Sequence, residues 1–309
     1  MSISHRHLLI SLLLSVALSG ARHAGAFCRA TSCDPKLEPA VGCPVNKQGC
    51  ETSGVPLFWA SDCITVSVQG DAAPTQHIDY ATAEASVKRA FAAWTGADCS
   101  GETPSIRVLV QGPVRCNESE YNSDRGNANI VSFREDEWPY PGGQDALGMT
   151  FVNFDPKSGE IWDVDVELNA LKETLSVEPS ADEVDLDSLL THEAGHVLGL
   201  AHTQDKAATM FPGYGRGTTG LRTLGYDDVS GLCAIYPASR ALSTTSCTPR
   251  HGFSELCGAD QPAPSPHMDE PSTSAGCSVS TRRRGSTLGL VAALSLVFSA
   301  FFGRHRRRY

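Results

Sequence analysis

Alternating apolar and polar side chains predict five β-strands in the middle of the chain. Side chains of a strand point to opposite faces in turn, so a period of two residues indicates a half-buried strand. The five segments with this character are residues 64–68, 106–110, 129–133, 148–154 and 161–168. Residues 155–159, Asp-Pro-Lys-Ser-Gly, have the composition of a turn, which predicts that the last two strands form a hairpin.

A helical period of about 3.6 residues predicts two helices around these strands. Within residues 79–94, the apolar residues that share one face are Ala83, Val87, Ala90, Phe91 and Trp94. Asp79 is predicted to cap this helix and Gly96 to end it. A second helix is expected from about Leu186. The order of strand, helix, four strands and helix predicts an α+β fold, with a mixed sheet and the helices on one side.

The first 26 residues have the composition of a secretory signal peptide. Arg6 precedes an apolar run at 8–18, and an Ala-Gly-Ala sequence follows at 24–26. This order predicts export, with cleavage before Phe27. The alternative is a buried N-terminal helix; the apolar run is too short to span a membrane.

The last 32 residues, 278–309, also differ from a globular domain. Residues 285–302 contain no charge and lie between two arginine clusters. A helix of this length rises about 27 Å and is apolar on all faces, so a membrane segment is favoured over an amphipathic surface helix. Gly276-Cys277-Ser278 precedes it, after a Pro/Ser-rich linker at 261–275. These features resemble the C-terminal sorting tails of myxobacterial surface proteins, which implies that Cys277 is the processing or anchoring residue.

The net charge of −10 over 309 residues is unevenly distributed. Nine of the 25 basic residues lie in the two ends, 1–26 and 278–309, which contain no acid; the remaining 16 basic and 35 acidic residues give the middle a charge of −19. A net acidic chain is poorly suited to general nucleic-acid binding, so we expect no nucleic-acid partner. With 41% hydrophobic and 19% charged residues, the chain is too apolar to be disordered throughout.

The cysteines support an exported domain with disulfides. Besides Cys277 there are ten, an even number, and none forms a C-x-x-C unit that would indicate a cysteine-only zinc site. Their connectivity does not follow from the sequence. Local pairs such as Cys247–Cys257 and Cys99–Cys116 are hypotheses only.

The strongest chemical signal lies within the second helix, in the eleven residues from His192 to His202. His192 and His196 are four residues apart, so on a helix they share a face and can bind one metal ion. Gly199 can adopt a positive φ, which allows the helix to end there and His202 to supply a third nitrogen. Three neutral imidazoles leave one position on zinc open for water, as in a catalytic site. The alternative, a helix with solvent-facing histidines, is disfavoured by the full pattern.

Glu193 is the predicted general base. Its position one residue after His192 places the carboxylate beside the metal rather than on it. Zinc lowers the pKa of a bound water to about 7. Glu193 is expected to accept a proton from that water as it attacks a peptide carbonyl, and then to protonate the leaving amine.

The motif resembles that of the metzincin metalloproteases, and three further features resemble the matrixin branch. Thr203 follows the third histidine, residues 208–214 (Ala-Thr-Met-Phe-Pro-Gly-Tyr) are similar to the Met-turn segment, and residues 224–236 are similar to the closing helix. The resemblance implies a mixed α/β catalytic domain. It would have a twisted five-stranded mixed sheet with an antiparallel edge strand, an active-site helix and a C-terminal helix.

The resemblance also implies roles for further residues. Met210 would form the hydrophobic floor beneath the zinc, and Pro212 and Tyr214 the outer wall of the S1′ pocket. An edge strand at 148–153 would pair with an extended peptide, which implies an endopeptidase. Simpler alternatives are a core-filling role for Met210 and a packed surface aromatic at Tyr214.

Two features fall outside this pattern. Nothing in the chain resembles the Pro-Arg-Cys-Gly propeptide segment of vertebrate-type matrixins, and latency through Cys43 or Cys50 is less favoured than disulfide pairing of these residues.

Asp163, Asp165 and Glu167 alternate on a predicted strand. They are candidates for a calcium site, but a solvated strand face is the favoured interpretation.

The sequence therefore predicts an exported zinc metalloendopeptidase that is a monomer, acts on protein or peptide substrates and contacts the membrane of a bacterial surface through its tail. A catalytically silent surface binding protein on the same scaffold is disfavoured by Glu193. A metallohydrolase for a non-peptide bond is disfavoured by Thr203. The predicted segments are a signal peptide (1–26), a Cys-rich lead-in (27–54), a catalytic domain (55–237), a disulfide-containing Pro/Ser-rich linker (238–276) and a sorting tail (277–309).

Overall fold

The computed structural model describes residues 27–33, 42–140, 145–241 and 246–258. The predicted signal peptide, membrane segment and Cys277 lie outside these described residues. No helix within the described ranges is long and apolar enough to cross a membrane. The strands are β1 (Cys28–Arg29), β2 (Cys63–Val68), β3 (Arg107–Val110), β4 (Ile130–Phe133), β5 (Gly148–Phe154), β6 (Ile161–Leu168), β7 (Leu175–Ser176), β8 (Val184–Asp185) and β9 (Leu200–Ala201). The α-helices are α1 (Tyr80–Thr95), α2 (Leu186–Val197) and α3 (Tyr226–Ile235).

Five of these strands form the central sheet, in the order β3-β2-β4-β6-β5. β2 pairs in parallel with β3 and β4, and β4 pairs in parallel with β6. Parallel neighbours need a crossover connection, which α1 supplies between β2 and β3. β5 forms an antiparallel hairpin with β6 and lies at the edge of the sheet. The predicted mixed sheet with an antiparallel edge strand is confirmed.

The carboxylates of β6 are buried, so the predicted solvated strand face is wrong. Asp163, Asp165 and Glu167 are at most 1% exposed. The segment around Ser119 lies over this face: its N–H donates to Glu167 Oε1 at 2.7 Å, and its hydroxyl donates to Asp165 Oδ2 at 3.1 Å. Alternation identifies the two faces of a strand but not the loop that covers one of them, and here hydrogen bonds replace water. The calcium hypothesis for these residues stays a prediction.

Helix α1 lies within one residue of its predicted position, at Tyr80–Thr95. The side chain of Asp79 accepts a hydrogen bond from Thr82 N–H at 2.8 Å, which satisfies one of the backbone donors left unpaired at a helix start. The apolar face of α1 packs into the main core. At its end, Trp94 Nε1–H donates to the carbonyl oxygen of Thr191 at 2.8 Å, so α1 fixes the position of α2.

Helix α2 begins at Leu186, as predicted, and all of its residues are buried. The Asp185 side chain caps it by accepting a hydrogen bond from Ser188 N–H at 2.9 Å. Asp185 also accepts a hydrogen bond from Arg222 Nε at 2.7 Å. A helix enclosed on every side cannot present its histidines to solvent, which removes the solvent-facing alternative for this motif.

Five disulfides join the ten cysteines of the described residues. The pairs are Cys28–Cys50, Cys33–Cys43, Cys63–Cys247, Cys99–Cys233 and Cys116–Cys257. The predicted local pairs Cys247–Cys257 and Cys99–Cys116 are therefore wrong. The three long bridges close loops of 134 to 184 residues, because the fold brings the start of β2 and the end of α1 next to segments from the C-terminal third. Contacts at such separations leave no local pattern in the sequence.

Candidate metal centre

The backbone around α2 brings three histidines together. His192 and His196 lie one turn apart on α2, which ends at Val197. Gly199 then has a φ of +89°, and a Cβ there would lie only 2.8 Å from the carbonyl oxygen of Leu57. Glycine avoids both the left-handed strain and this clash. The chain can therefore turn and return His202 to the same side as the two helical histidines.

The three imidazoles converge on one point. One nitrogen from each ring lies within 4.8 Å of the others. His192 Nε2 and His202 Nε2 are 3.1 Å apart, and His196 Nε2 and His202 Nε2 are 3.2 Å apart. Within the described residues, this is the one group of three or more His, Cys, Asp or Glu side chains with such convergent ligand atoms.

The hydrogen bonds of the other ring nitrogens assign the tautomers. His192 Nδ1 lies 2.6 Å from the Thr209 carbonyl oxygen, and His196 Nδ1 lies 2.9 Å from the Leu200 carbonyl oxygen. A carbonyl oxygen only accepts, so both Nδ1 atoms carry the proton and both Nε2 atoms present lone pairs. Lone pairs aimed at a shared point repel one another unless a cation lies between them. The donor set therefore fits zinc, which prefers neutral imidazole ligands.

Burial keeps these rings neutral. Desolvation, followed by repulsion from His202, lowers the pKa of His192 to about 3. The same causes hold the pKa of His196 well below its usual value, and desolvation lowers that of His202 to about 4. Neutral imidazoles are the form that binds a metal ion, so no proton has to be displaced at neutral pH.

Glu193 lies beside the histidines and against the edge strand. Its side chain is buried, and its Oε2 accepts a hydrogen bond from the Thr150 hydroxyl of β5 at 2.7 Å. Burial raises the pKa of Glu193 to about 7, although this hydrogen bond favours the charged form. A Cβ on Gly148, two residues before Thr150, would lie 2.8 Å from Glu193 Oε1. The carboxylate therefore occupies space left by a glycine and is fixed by a hydroxyl. The sequence places Gly148 and Thr150 on a predicted strand, but it contains no local signal for their contact with Glu193.

Met210 packs against helix α2. It is buried, and a Cβ on Gly195 would lie 2.3 Å from its sulfur, so the helix and the Met210 side chain are in close contact. Its carbonyl oxygen accepts a hydrogen bond from Thr203 N–H at 3.0 Å. The segment with Met210 is thus attached to the residue that follows the third histidine.

Asp228 of α3 holds the Met210 segment in place. Its Oδ1 accepts a hydrogen bond from Met210 N–H at 3.0 Å, and its Oδ2 accepts from Thr209 N–H at 2.6 Å and from Gly225 N–H at 2.7 Å. The sequence includes Asp228 in the closing helix but assigns it no role. A Gly-x-x-Asp pattern at a helix start is the one local signal for it.

Tyr214 and Pro212 lie on the segment that follows Met210. The Tyr214 side chain is 7% exposed. Its hydroxyl accepts a hydrogen bond from Asp185 N–H at 2.6 Å and donates to the Thr218 carbonyl oxygen at 3.1 Å. These bonds attach the segment to the start of α2. Pro212 is half-buried. Tyr214 is therefore a buried aromatic residue that two hydrogen bonds hold in place. Its assignment to a substrate pocket stays a prediction.

The Cys-rich lead-in borders the centre. In β1, Cys28 pairs with Ala201 and Arg29 pairs with Leu200 of β9, directly before His202. The lead-in cysteines Cys43 and Cys50 are both in disulfides. Neither has a free thiolate for a metal, which argues against latency through these two residues.

Comparison with known proteins gives the family. A sequence profile described as Matrixin, Peptidase_M10, matches residues 58–237. The chain is 29% identical over 202 residues to Metalloendoproteinase 1-MMP of Arabidopsis thaliana, which covers 62% of this chain and 47% of that protein. It is 29% identical over 207 residues to neutrophil collagenase of Homo sapiens, covering 67% and 39%. Matrilysin of Homo sapiens is 44% identical over 46 residues, covering 15% and 17%.

The chain spans less than half the length of these relatives. The matched profile, in contrast, covers more than half of this chain and includes the whole histidine motif, β5, the Met210 segment and α3. The fold and the convergent histidines agree with it. This chain belongs to the matrixin family.

Proposed function

We propose that the protein is a zinc-dependent metalloendopeptidase. The observation that carries this proposal is the convergence of three neutral imidazoles beside a buried carboxylate, at the edge of a sheet. Zinc held by three imidazoles keeps a coordination position open, lowers the pKa of a water there to about 7 and polarises a carbonyl oxygen. In this assignment His192, His196 and His202 are the ligands.

Glu193 acts as the general base. Its carboxylate takes up a proton from the attacking water and returns it to the amine nitrogen of the leaving peptide. Burial raises the pKa of Glu193, which makes this carboxylate a better proton acceptor than an exposed one. The enclosed surroundings of Glu193 also exclude bulk water that would compete for this proton.

The substrate binds as an added strand. β5 pairs on one side with β6, so its other side has backbone N–H and C=O groups available for an extended peptide. A peptide held along β5 continues past the site in both directions, which favours cleavage within a chain. Met210 supports the histidines from below, and Pro212 with Tyr214 bounds the pocket for the residue after the cleaved bond.

A second candidate is a catalytically silent surface binding protein on the same scaffold. It would keep the histidines and β5 but perform no turnover. Glu193 is buried and held at a defined position, an arrangement that binding alone does not need. The protease is therefore favoured.

The full chain, loaded with zinc, should cleave casein or gelatin, and a chelator should abolish cleavage. Glu193→Ala should retain zinc but lose activity by several orders of magnitude. Glu178→Ala removes an exposed carboxylate and serves as the matched control. Equal activity in the native protein and Glu193→Ala would contradict the protease, and zinc-loaded native protein without any activity would favour the silent scaffold.

We also propose that the protein is exported and reaches a bacterial surface through its tail. Five disulfides support an oxidising compartment. Mass spectrometry of the secreted protein should find Phe27 at its N-terminus, and Cys277→Ala should change its retention at the surface. An intact N-terminus at Met1, or unchanged retention, would contradict the respective assignment.

A further inference from the structure

The contact between Glu193 and β5 suggests a role for a residue outside the histidine motif. Thr150 is fully buried, and its hydroxyl lies 2.7 Å from Glu193 Oε2. An ionised carboxylate only accepts hydrogen bonds, so the hydroxyl is the donor. A buried hydroxyl that donates to a charged group forms one of the stronger hydrogen bonds in proteins.

The neighbouring residue on the same face leaves room for the other oxygen. Gly148 and Thr150 are two residues apart on β5, so both face α2. Any side chain at position 148 would place its Cβ 2.8 Å from Glu193 Oε1. The two residues therefore act on different oxygens: Thr150 holds Oε2, and Gly148 leaves the space that Oε1 occupies.

We propose that Thr150 is a positioning residue for the general base: its hydroxyl holds Glu193 Oε2 and thereby fixes the orientation of the carboxylate. This inference rests on the proposed protease function. β5 is also the strand along which the substrate would align. A base anchored to that strand keeps a fixed distance from the bond to be cleaved, and rate depends steeply on such alignment.

The role predicts a specific change in kinetics. Thr150→Val keeps the shape of the side chain but removes the donor, so Glu193 can rotate away from the water. We expect kcat to fall about 10- to 100-fold with KM within twofold, because the peptide-binding backbone of β5 is unchanged. Thr150→Ser restores the hydroxyl and should recover kcat to within about threefold. Thr65→Val, on a strand three positions away in the sheet, is the control for replacing a buried strand threonine.

A measurement independent of activity tests the contact itself. Thermal unfolding of Thr150→Val, Glu193→Ala and the double variant forms a double-mutant cycle. If the hydroxyl holds the carboxylate, Thr150→Val lowers the midpoint in the native background but has little effect once Glu193 is alanine. Zinc content is measured for every variant, so that loss of the metal is not mistaken for loss of positioning.

The outcomes separate the two proposals. Coupling in the cycle together with a kcat loss that serine repairs supports the role of Thr150. Absence of coupling, or wild-type kcat in Thr150→Val, overturns it. Coupling in a protein whose native form cleaves nothing would support the positioning of Glu193 while contradicting the proposed protease function.

Discussion

At the scale of single residues, the centre depends on groups that fix the orientation of its ligands. The carbonyl oxygens of Thr209 and Leu200 select the tautomers of His192 and His196. Both acceptors belong to backbone segments that are themselves held: Thr209 N–H donates to Asp228, and Leu200 of β9 pairs with Arg29 of β1. Replacing such outer groups typically lowers metal affinity by about 10- to 100-fold.

Asp228→Asn should therefore weaken zinc binding and lower stability. The native carboxylate accepts three backbone hydrogen bonds, and an amide replaces one acceptor oxygen with a donor. A buried N–H left unpaired costs about 1–3 kcal/mol of unfolding free energy. Urea denaturation and competition with a chelator measure the two effects. Asp182→Asn, at an exposed position, should change neither; equal behaviour of the two variants would contradict this role for Asp228.

The histidine motif was predictable because its members lie within eleven residues, with His192 and His196 on one helix face and Gly199 as the signal for the turn that precedes His202. Thr150 was not, because it reaches Glu193 from a strand 43 residues earlier in the chain. Strand pairing brings them together, and period-two alternation describes only which way a side chain points. Residues that tune a site from other elements are therefore the part that local patterns miss.

At the scale of elements, β6 is a central strand of the sheet that buries three carboxyl groups, and burying a charged carboxylate costs free energy. Burial raises the pKa of Asp165 to about 8, and desolvation also raises the pKa values of Asp163 and Glu167. Each acid binds its proton more tightly in the folded state than in the unfolded chain. Their contribution to stability is therefore present below the unfolded pKa of about 4 and is lost as pH rises toward the folded values.

Unfolding free energy should thus fall between about pH 5 and pH 8 by an amount that depends on these acids. The slope for one proton is at most about 1.4 kcal/mol per pH unit. Asp165→Asn removes one such group and should flatten the dependence, as measured by urea denaturation across this range. Asp155→Asn, in the turn after β5, should leave the slope in this range unchanged, because the hydrogen bond from Lys157 N–H lowers the pKa of Asp155. Parallel curves for native protein and Asp165→Asn would contradict the assignment.

The pairing of β1 with β9 places the lead-in beside the backbone that precedes His202. Cys28 lies opposite Ala201 and is anchored through its disulfide to Cys50. Replacing both cysteines with alanine should release β1, loosen the backbone before His202 and weaken zinc retention against a chelator. Removing the Cys33–Cys43 bridge, whose cysteines do not belong to β1, is the matched control. A larger zinc loss in the control would contradict this role for β1.

Helices α1 and α2 and the five sheet strands were predictable from local patterns of period, cap and turn, whereas α3 was expected only from the resemblance of residues 224–236 to the family's closing helix. Asp79 and Gly96 bound α1 as expected, and the turn at 155–159 joins β5 to β6. The β1–β9 pair was not predictable, because two-residue strands are too short to show a period. The sheet order itself follows from crossover connections, which sequence alternation does not specify.

At the scale of the whole molecule, three disulfides join parts of the chain that are distant in sequence. Cys99–Cys233 joins the end of α1 to α3, while Cys63–Cys247 and Cys116–Cys257 fasten residues 246–258. That last segment lies beyond the matched profile, which ends at residue 237. It is nevertheless integrated into the fold, since Asn127 N–H donates to the Gly252 carbonyl oxygen and Ser254 N–H donates to the Asn127 carbonyl oxygen.

Loop length predicts which bridge contributes most to stability. A crosslink restricts the unfolded chain more when the loop it closes is longer. For Cys63–Cys247, the intact Cys99–Cys233 bridge shortens the closed loop to about 50 residues, and the chain-entropy relation gives about 4 kcal/mol. For Cys33–Cys43, with a separation of 10, it gives about 3 kcal/mol. Double alanine variants of each pair, unfolded in urea without reductant, should show the larger loss for the long bridge. A larger loss for the short bridge would mean that native packing of the lead-in, rather than restriction of the unfolded chain, sets the stability of this molecule.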